Sequence, residues 1–173
     1  MAGMSDKIHT VFAAGAVFRL LLISGSVIIL DQVTKAVITG TLVLHESITV
    51  IPGLFDITHV LNPGGAFGLF ARHSPGIRTF FFLIVSSLVA CLILWFYRQT
   101  SERHLLLSCG LAGIFGGAVG NLIDRFRFGQ VVDFLDFYIG NHHWPSFNIA
   151  DSAISIGMAI FLYHVVFNKI SDL

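Results

Sequence analysis

The chain has 173 residues, of which 55% are hydrophobic and only 12% are Asp, Glu, Lys or Arg, about half the charged share of a soluble domain. Ten basic residues balance ten acidic ones, and mean hydropathy is +0.83. The composition therefore excludes a soluble globular domain, and the lack of a basic face excludes nucleic acid as a partner. What remains is an integral membrane protein.

A spanning helix needs roughly 20 mostly apolar residues. The first candidate runs from about Val17 to Ile38 and carries Asp31 and Lys35 near its far end. The small residues Ala13-Ala14-Gly15-Ala16 precede its apolar core instead of following it. That order is wrong for a cleaved leader, so the run reads as a retained span. Next, Ser47-Ile48-Thr49-Val50-Ile51, a Pro52-Gly53 turn and Leu54–Val60 predict a hairpin or small sheet at the membrane surface. A second span covers about Thr79 to Tyr97, a third about Leu105 to Ile123, and a fourth about Ile149 to Phe167. Cys91 and Cys109 fall inside spans and read as small buried hydrophobes.

The expected fold is an all-α membrane protein: a four-transmembrane-helix bundle, one domain over residues 1–173, with a small extracytoplasmic β-element. The regions of about 39–78 and 124–148 lie outside the membrane on one face. Charge bias does not decide the orientation. Lys7, Arg19, Arg98, Arg103 and Lys169 fall on the terminal side, against Lys35, Arg72, Arg78, Arg125 and Arg127 on the other. Both termini are assigned to the cytoplasm, with some of the second group reserved for a site.

Charge inside an apolar chain marks function, because an ionised carboxylate at bilayer depth is costly. Asp133 lies in Val131-Val132-Asp133-Phe134, and Asp151 opens the last apolar run. A turn at Gly140-Asn141 between them allows the two carboxylates to meet. Two acids sharing one proton form an acid–base pair able to activate water against an amide. On the third helix Asn121, Asp124 and Arg125 share a face, suited to a peptide backbone or a carboxylate, or else merely to anchoring the helix end. Asn148 is placed to cap the fourth helix, and Asp136 reads as a surface acid. Lys35 follows Asp31 by four residues, the spacing of an intrahelical ion pair. His142-His143 lacks the companions of a metal site, and neither metal nor cofactor is expected. Gly116 and Gly120 form a small-xxx-small face for close helix packing, or else for dimerisation.

Several of these segments together resemble bacterial lipoprotein signal peptidase, signal peptidase II. They are Asp31-Gln-Val-Thr-Lys35, Asn62-Pro-Gly64-Gly-Ala66-Phe67, Gly116-Gly-Ala-Val-Gly-Asn121-Leu-Ile-Asp124-Arg125, Val131-Val-Asp133-Phe-Leu-Asp136-Phe and Trp144-Pro-Ser-Phe147-Asn148-Ile-Ala150-Asp151. The resemblance implies four transmembrane helices with a β-cradle. It implies an intramembrane aspartyl endopeptidase that cuts prolipoproteins before a diacylglyceryl-bearing Cys. Asp133 and Asp151 would be catalytic. Asn62, Gly64, Asn121, Arg125 and Asn148 would bind substrate, with Asp31, Lys35, Asp124 and Asp136 in support. It also implies the bacterial inner membrane, contact with membrane lipid, sensitivity to the cyclic peptide globomycin and a monomer. Two other classes stand beside it: a small proton-coupled transporter, and a non-catalytic assembly factor using the glycine face.

Overall fold

The computed structural model describes residues 2–64, 74–100 and 104–167, with side chains from residue 14 onward. Its elements in chain order are α1 (Ala2–Thr41), β1 (Ser47–Ile51), β2 (Phe55–Asn62), α2 (Pro75–Thr100), α3 (Leu105–Phe128), β3 (Val131–Ile139), β4 (His142–His143) and α4 (Ile149–Val166). Among the described residues four stretches are long and apolar enough to cross a membrane: Ala14–Thr41, Pro75–Thr100, Leu105–Phe128 and Ile149–Val166. The chain is thus a multi-pass membrane protein. The outer helix faces are apolar, as Phe18, Leu21, Phe80, Leu88 and Ile156 show by their exposure. In lipid such faces need no protein cover. The same reasoning corrects the reading of the cysteines: Cys91 is exposed on α2 and Cys109 half-buried, because the bilayer itself is an apolar surround.

α3 is the central helix. Its spanning window is 56% buried, against 6% for α2, and it packs on α1, α2 and α4. Glycine makes this possible, since a missing Cβ lets backbones approach. A Cβ on Gly117 would run into the Ala150 carbonyl of α4, and one on Gly116 would lie 2.8 Å from the Ser24 Cα of α1. The glycines therefore serve two intramolecular contacts, and the face suggested for dimerisation is occupied within the chain. Replacement of Gly117 by Ala is expected to lower thermal stability by about 1–3 kcal/mol through overpacking. At Gly113 a Cβ would sit 3.6 Å from the Ala153 carbonyl, an ordinary contact. There the same change gains helix propensity of up to about 1 kcal/mol and is neutral or stabilising. A melting comparison of the two variants in one detergent checks both signs.

α3 runs past the predicted end at Ile123 to Phe128. It stops at Gly129, whose φ of 72° suits glycine and whose N–H donates to the Arg125 carbonyl. The extra turn keeps Asp124, Arg125 and Arg127 helical. The predicted hairpin is β1–β2, and it extends into a small sheet by adding β3 and β4. Four antiparallel strands lie in the order β1-β2-β3-β4, so Val131–Phe137 is a sheet strand and not a loop. Its first four residues are all buried, which erases the alternation that betrays a strand in sequence. Val132 and Phe134 pack with Ile38 of α1, with Leu42 just past its end and with Ile149 of α4. The sheet is thereby clamped onto the helix ends, where β2 and β3 can offer side chains to α3 and α4.

Candidate active site

Asp133 and Asp151 come together from two elements. β3 carries Asp133, placed opposite Val60 of β2, and the first turn of α4 carries Asp151. Asn148 ties them to each other. Its side-chain N–H donates to Asp133 Oδ1 at 2.7 Å, while its side-chain oxygen accepts the Asp151 backbone N–H at 2.9 Å. The second bond is the helix cap expected from sequence. The first was not foreseen, since it needs the long-range placement of β3. Asn62, at the end of β2, donates to Asp133 Oδ2 at 2.9 Å, and the Asn62 oxygen accepts the Gly64 N–H at 2.9 Å. Gly64 has a φ of 89°, a conformation glycine adopts without strain. A Cβ there would also meet the Phe82 ring. Ala66 and Phe67, quoted with this motif above, lie outside the described residues.

Asn121 donates to Asp151 Oδ1 at 2.7 Å. Its oxygen accepts from Lys35 Nζ at 3.0 Å and from Asn148 at 3.2 Å. Two donors on that oxygen leave the amide one orientation, with its N–H₂ toward Asp151. Asn121 therefore positions the Asp151 carboxylate. Lys35 also pairs with Asp31 at 2.8 Å and with Asp124 at 2.9 Å. Asp31, Lys35 and Asp124 are all almost fully buried. Asp31 accepts the Ala150 N–H at 3.0 Å, a second cap on α4 that also sets a negative charge at its positive end. The triad thus ties α1 to α3 and α4. Its link to the sheet passes through Asp124, which accepts the Val132 N–H at 3.1 Å.

Arg125 lies over the Phe82 ring at 5.5 Å and donates to Ser86 Oγ at 3.5 Å. It is a half-buried cation on the same side of α3 as the two aspartates. Asp136 stands apart and pairs with His143 at 2.9 Å across β3–β4. His142 and His143 sit exposed on β4. Trp144 is exposed too, as an interfacial anchor would be.

Burial pushes the Asp133 carboxyl up to about 7; the Asn62 donor opposes this, the Asp151 charge adds to it, and Asn148 and Lys35 oppose it. Such an acid is protonated in the folded state where the unfolded chain has already ionised. Its contribution to stability is present in acid and is lost as pH climbs from about 4 to about 7. Asn at position 133 does not titrate. The melting temperature of Asp133→Asn should therefore rise relative to wild type across that window, by the equivalent of a few kcal/mol. Parallel melting curves at pH 4.5 and pH 8 would refute this if the difference between the two proteins stayed constant.

Comparison with known proteins places these residues among close relatives. The family described as signal peptidase (SPase) II matches residues 23–167. A lipoprotein signal peptidase of Desulforapulum autotrophicum is 68% identical over 158 residues, covering 91% of this chain and 98% of the relative. One from Syntrophotalea carbinolica is 47% identical, covering 85% and 91%. A solved bacterial membrane enzyme, determined by the in meso method at 2.3 Å, superposes with a TM-score of 0.77 at 33% identity, covering 89% of this chain and 91% of its own.

Proposed function

The chain belongs to the signal peptidase II family, and from that premise we propose that Asp133 and Asp151 are the acid–base pair with which it cuts signal peptides from diacylglyceryl-modified prolipoproteins. The observation that carries the reading is the Asn148 amide bonded to both aspartates. A single small side chain thereby ties the Asp133 carboxylate to the backbone that carries Asp151, whose own carboxylate Asn121 holds.

Asp133, with its carboxyl at about 7, holds the proton that the pair shares. Asp151 is ionised and takes a proton from a water between them as that water attacks the scissile carbonyl carbon. Asp133 gives its proton to the carbonyl oxygen. Collapse of the tetrahedral intermediate breaks the C–N bond and sends a proton to the leaving amine. Asn62, Asn148 and Asn121 hold the carboxylates in place throughout, so little reorganisation is needed. Arg125 is free to turn from Ser86, at the outer limit of hydrogen bonding, to the carbonyls of the bound peptide. Gly64, held by the Asn62 oxygen, turns the chain beside Asp133.

Within this reading the active end of the bundle faces away from the cytoplasm and both termini face into it. The protein lies in the bacterial inner membrane as a single-domain monomer, and globomycin occupies the peptide cleft. The transporter alternative loses its ground, because the acids gather at one end of the bundle and not at its midplane. The test is cleavage of matched prolipoprotein peptides with and without the diacylglyceryl group. Only the lipidated peptide should be cut, and globomycin should block it. Equal turnover of both would sink the proposed substrate.

A further inference from the structure

A second site lies on the other side of α3. Val119, Ile123 and Arg127 stand at i, i+4 and i+8 on one stripe of that helix. With Leu83 and Ser87 of α2 they line an apolar groove of about 450 Å³. Asn121 and Arg125 occupy a different stripe, turned toward Asp151 and Ser86. The groove is therefore separate from the catalytic pair.

At its upper end the groove meets a smaller recess of about 170 Å³, and Arg127 lines both. The recess is polar, with Gln32, Thr39, Lys35 and Asp124 in its wall. Its lysine is already committed. Three hydrogens on Lys35 Nζ meet Asp31, Asp124 and Asn121, and Nζ has no fourth donor. Arg127 is different. It is exposed, its guanidinium rests over the Phe128 ring at 4.8 Å, and among the described residues it has no carboxylate in ion-pair range. An apolar slot ending in a small polar recess, with one uncommitted guanidinium at the junction, has the shape and charge of an amphiphile with an anionic head. Guanidinium binds phosphate through two parallel hydrogen bonds.

We propose that this α1–α2–α3 face binds one anionic phospholipid of the surrounding bilayer, with an acyl chain in the α2–α3 groove and its phosphate on Arg127. The occupant is a bilayer lipid and not the substrate's own acyl chains, because the groove opens on the opposite side of α3 from Asp151. Binding it would brace α2 against α3 on a side where α2 has few protein neighbours.

The experiment uses the purified full chain in detergent with dioleoyl-phosphatidylglycerol or dioleoyl-phosphatidylcholine, and reads bound lipid by native mass spectrometry. Wild type should retain one phosphatidylglycerol in preference to phosphatidylcholine. Arg127→Gln should weaken phosphatidylglycerol retention about fivefold, to the phosphatidylcholine level, as expected for one lost basic contact. Ser87→Trp, which fills the groove, should reduce retention of both lipids. Arg127→Gln should leave kcat/KM on a diacylated peptide within about twofold of wild type. Equal retention of the two lipids by wild type, or undiminished phosphatidylglycerol on Arg127→Gln, overturns the proposal. So does displacement of the bound lipid by the diacylated peptide with a raised KM in Arg127→Gln, since the groove would then belong to the substrate.

Discussion

Replacing Asp133 or Asp151 by Asn should each lower cleavage of a diacylated prolipoprotein by more than about 10³-fold, the loss expected when one partner of an acid–base pair is removed. Neither change should unfold the protein. Asn keeps the shape of Asp, and its one oxygen can still accept from either Asn62 or Asn148 at position 133, or from Asn121 at position 151. At position 133 it also removes a charge that burial disfavours. Loss of activity with retained or raised melting temperature is thus the signature of chemistry and not of damage. The double variant should be scarcely worse than either single one, because groups that act as a unit are far from additive. Single-turnover cleavage with a lipidated peptide measures all three. Turnover within tenfold of wild type in either single variant would remove the pair from the mechanism.

The largest effect on stability should come from Lys35. Methionine there fills much the same volume and removes the ammonium. Asp31 and Asp124 would then face each other with no compensating charge, at 0% and 1% exposure. Breaking a buried ion pair by deleting one partner costs about 3–5 kcal/mol, because the remaining charge has no solvent. Their neutral donors remain. Gln32 reaches Asp124 at 2.9 Å and Asp31 at 3.2 Å, and the Ala150 N–H reaches Asp31. The cost should therefore fall when Asp124 is also neutralised: Lys35→Met with Asp124→Asn should be more stable than Lys35→Met alone. Activity should not return with stability. Asn121 would have lost the shorter of the two donor bonds that fix its amide toward Asp151, keeping only that from Asn148. Chemical denaturation in mixed micelles measures the first part and kcat the second. A double variant less stable than Lys35→Met would argue that the triad is not an electrostatic unit.

The membrane spans were readable from sequence because the bilayer imposes a length and an apolar composition on each one separately. Their centres were right, while α3 ran further than predicted, since Lys35 of another helix neutralises Asp124 inside it. Asn148 was readable as a cap because capping is a contact between near neighbours. The family motifs pointed to Asp31, Lys35, Asn62 and Asn121 as a set. What each one touches was not readable. Asn121 holds a carboxylate, one of the two ligands expected for its face, but the sequence could not name Asp151 as its owner, and Lys35 reaches α3 as well as its own helix. β3 was missed because both its faces are covered where it begins. Arg127 was counted only as a topology charge, since a groove shared between two helices has no signature on either one.

By itself, then, the sequence determined that this is a four-span membrane protein, that Asp133 and Asp151 are charges an apolar chain carries at a cost, and that the third and fourth helices begin at Leu105 and Ile149. These follow from rules that act within a few residues, or along one span against a uniform solvent. The tertiary structure alone decided that one asparagine bridges the two aspartates, that a three-residue ion network orients the second of them, and that α3 is the post on which the other helices lean. Such facts join residues 31 and 150, 62 and 133, or 121 and 151. A contact between distant positions depends on how the helices pack, and the packing depends on glycines whose effect is felt only once a neighbouring backbone is there to approach.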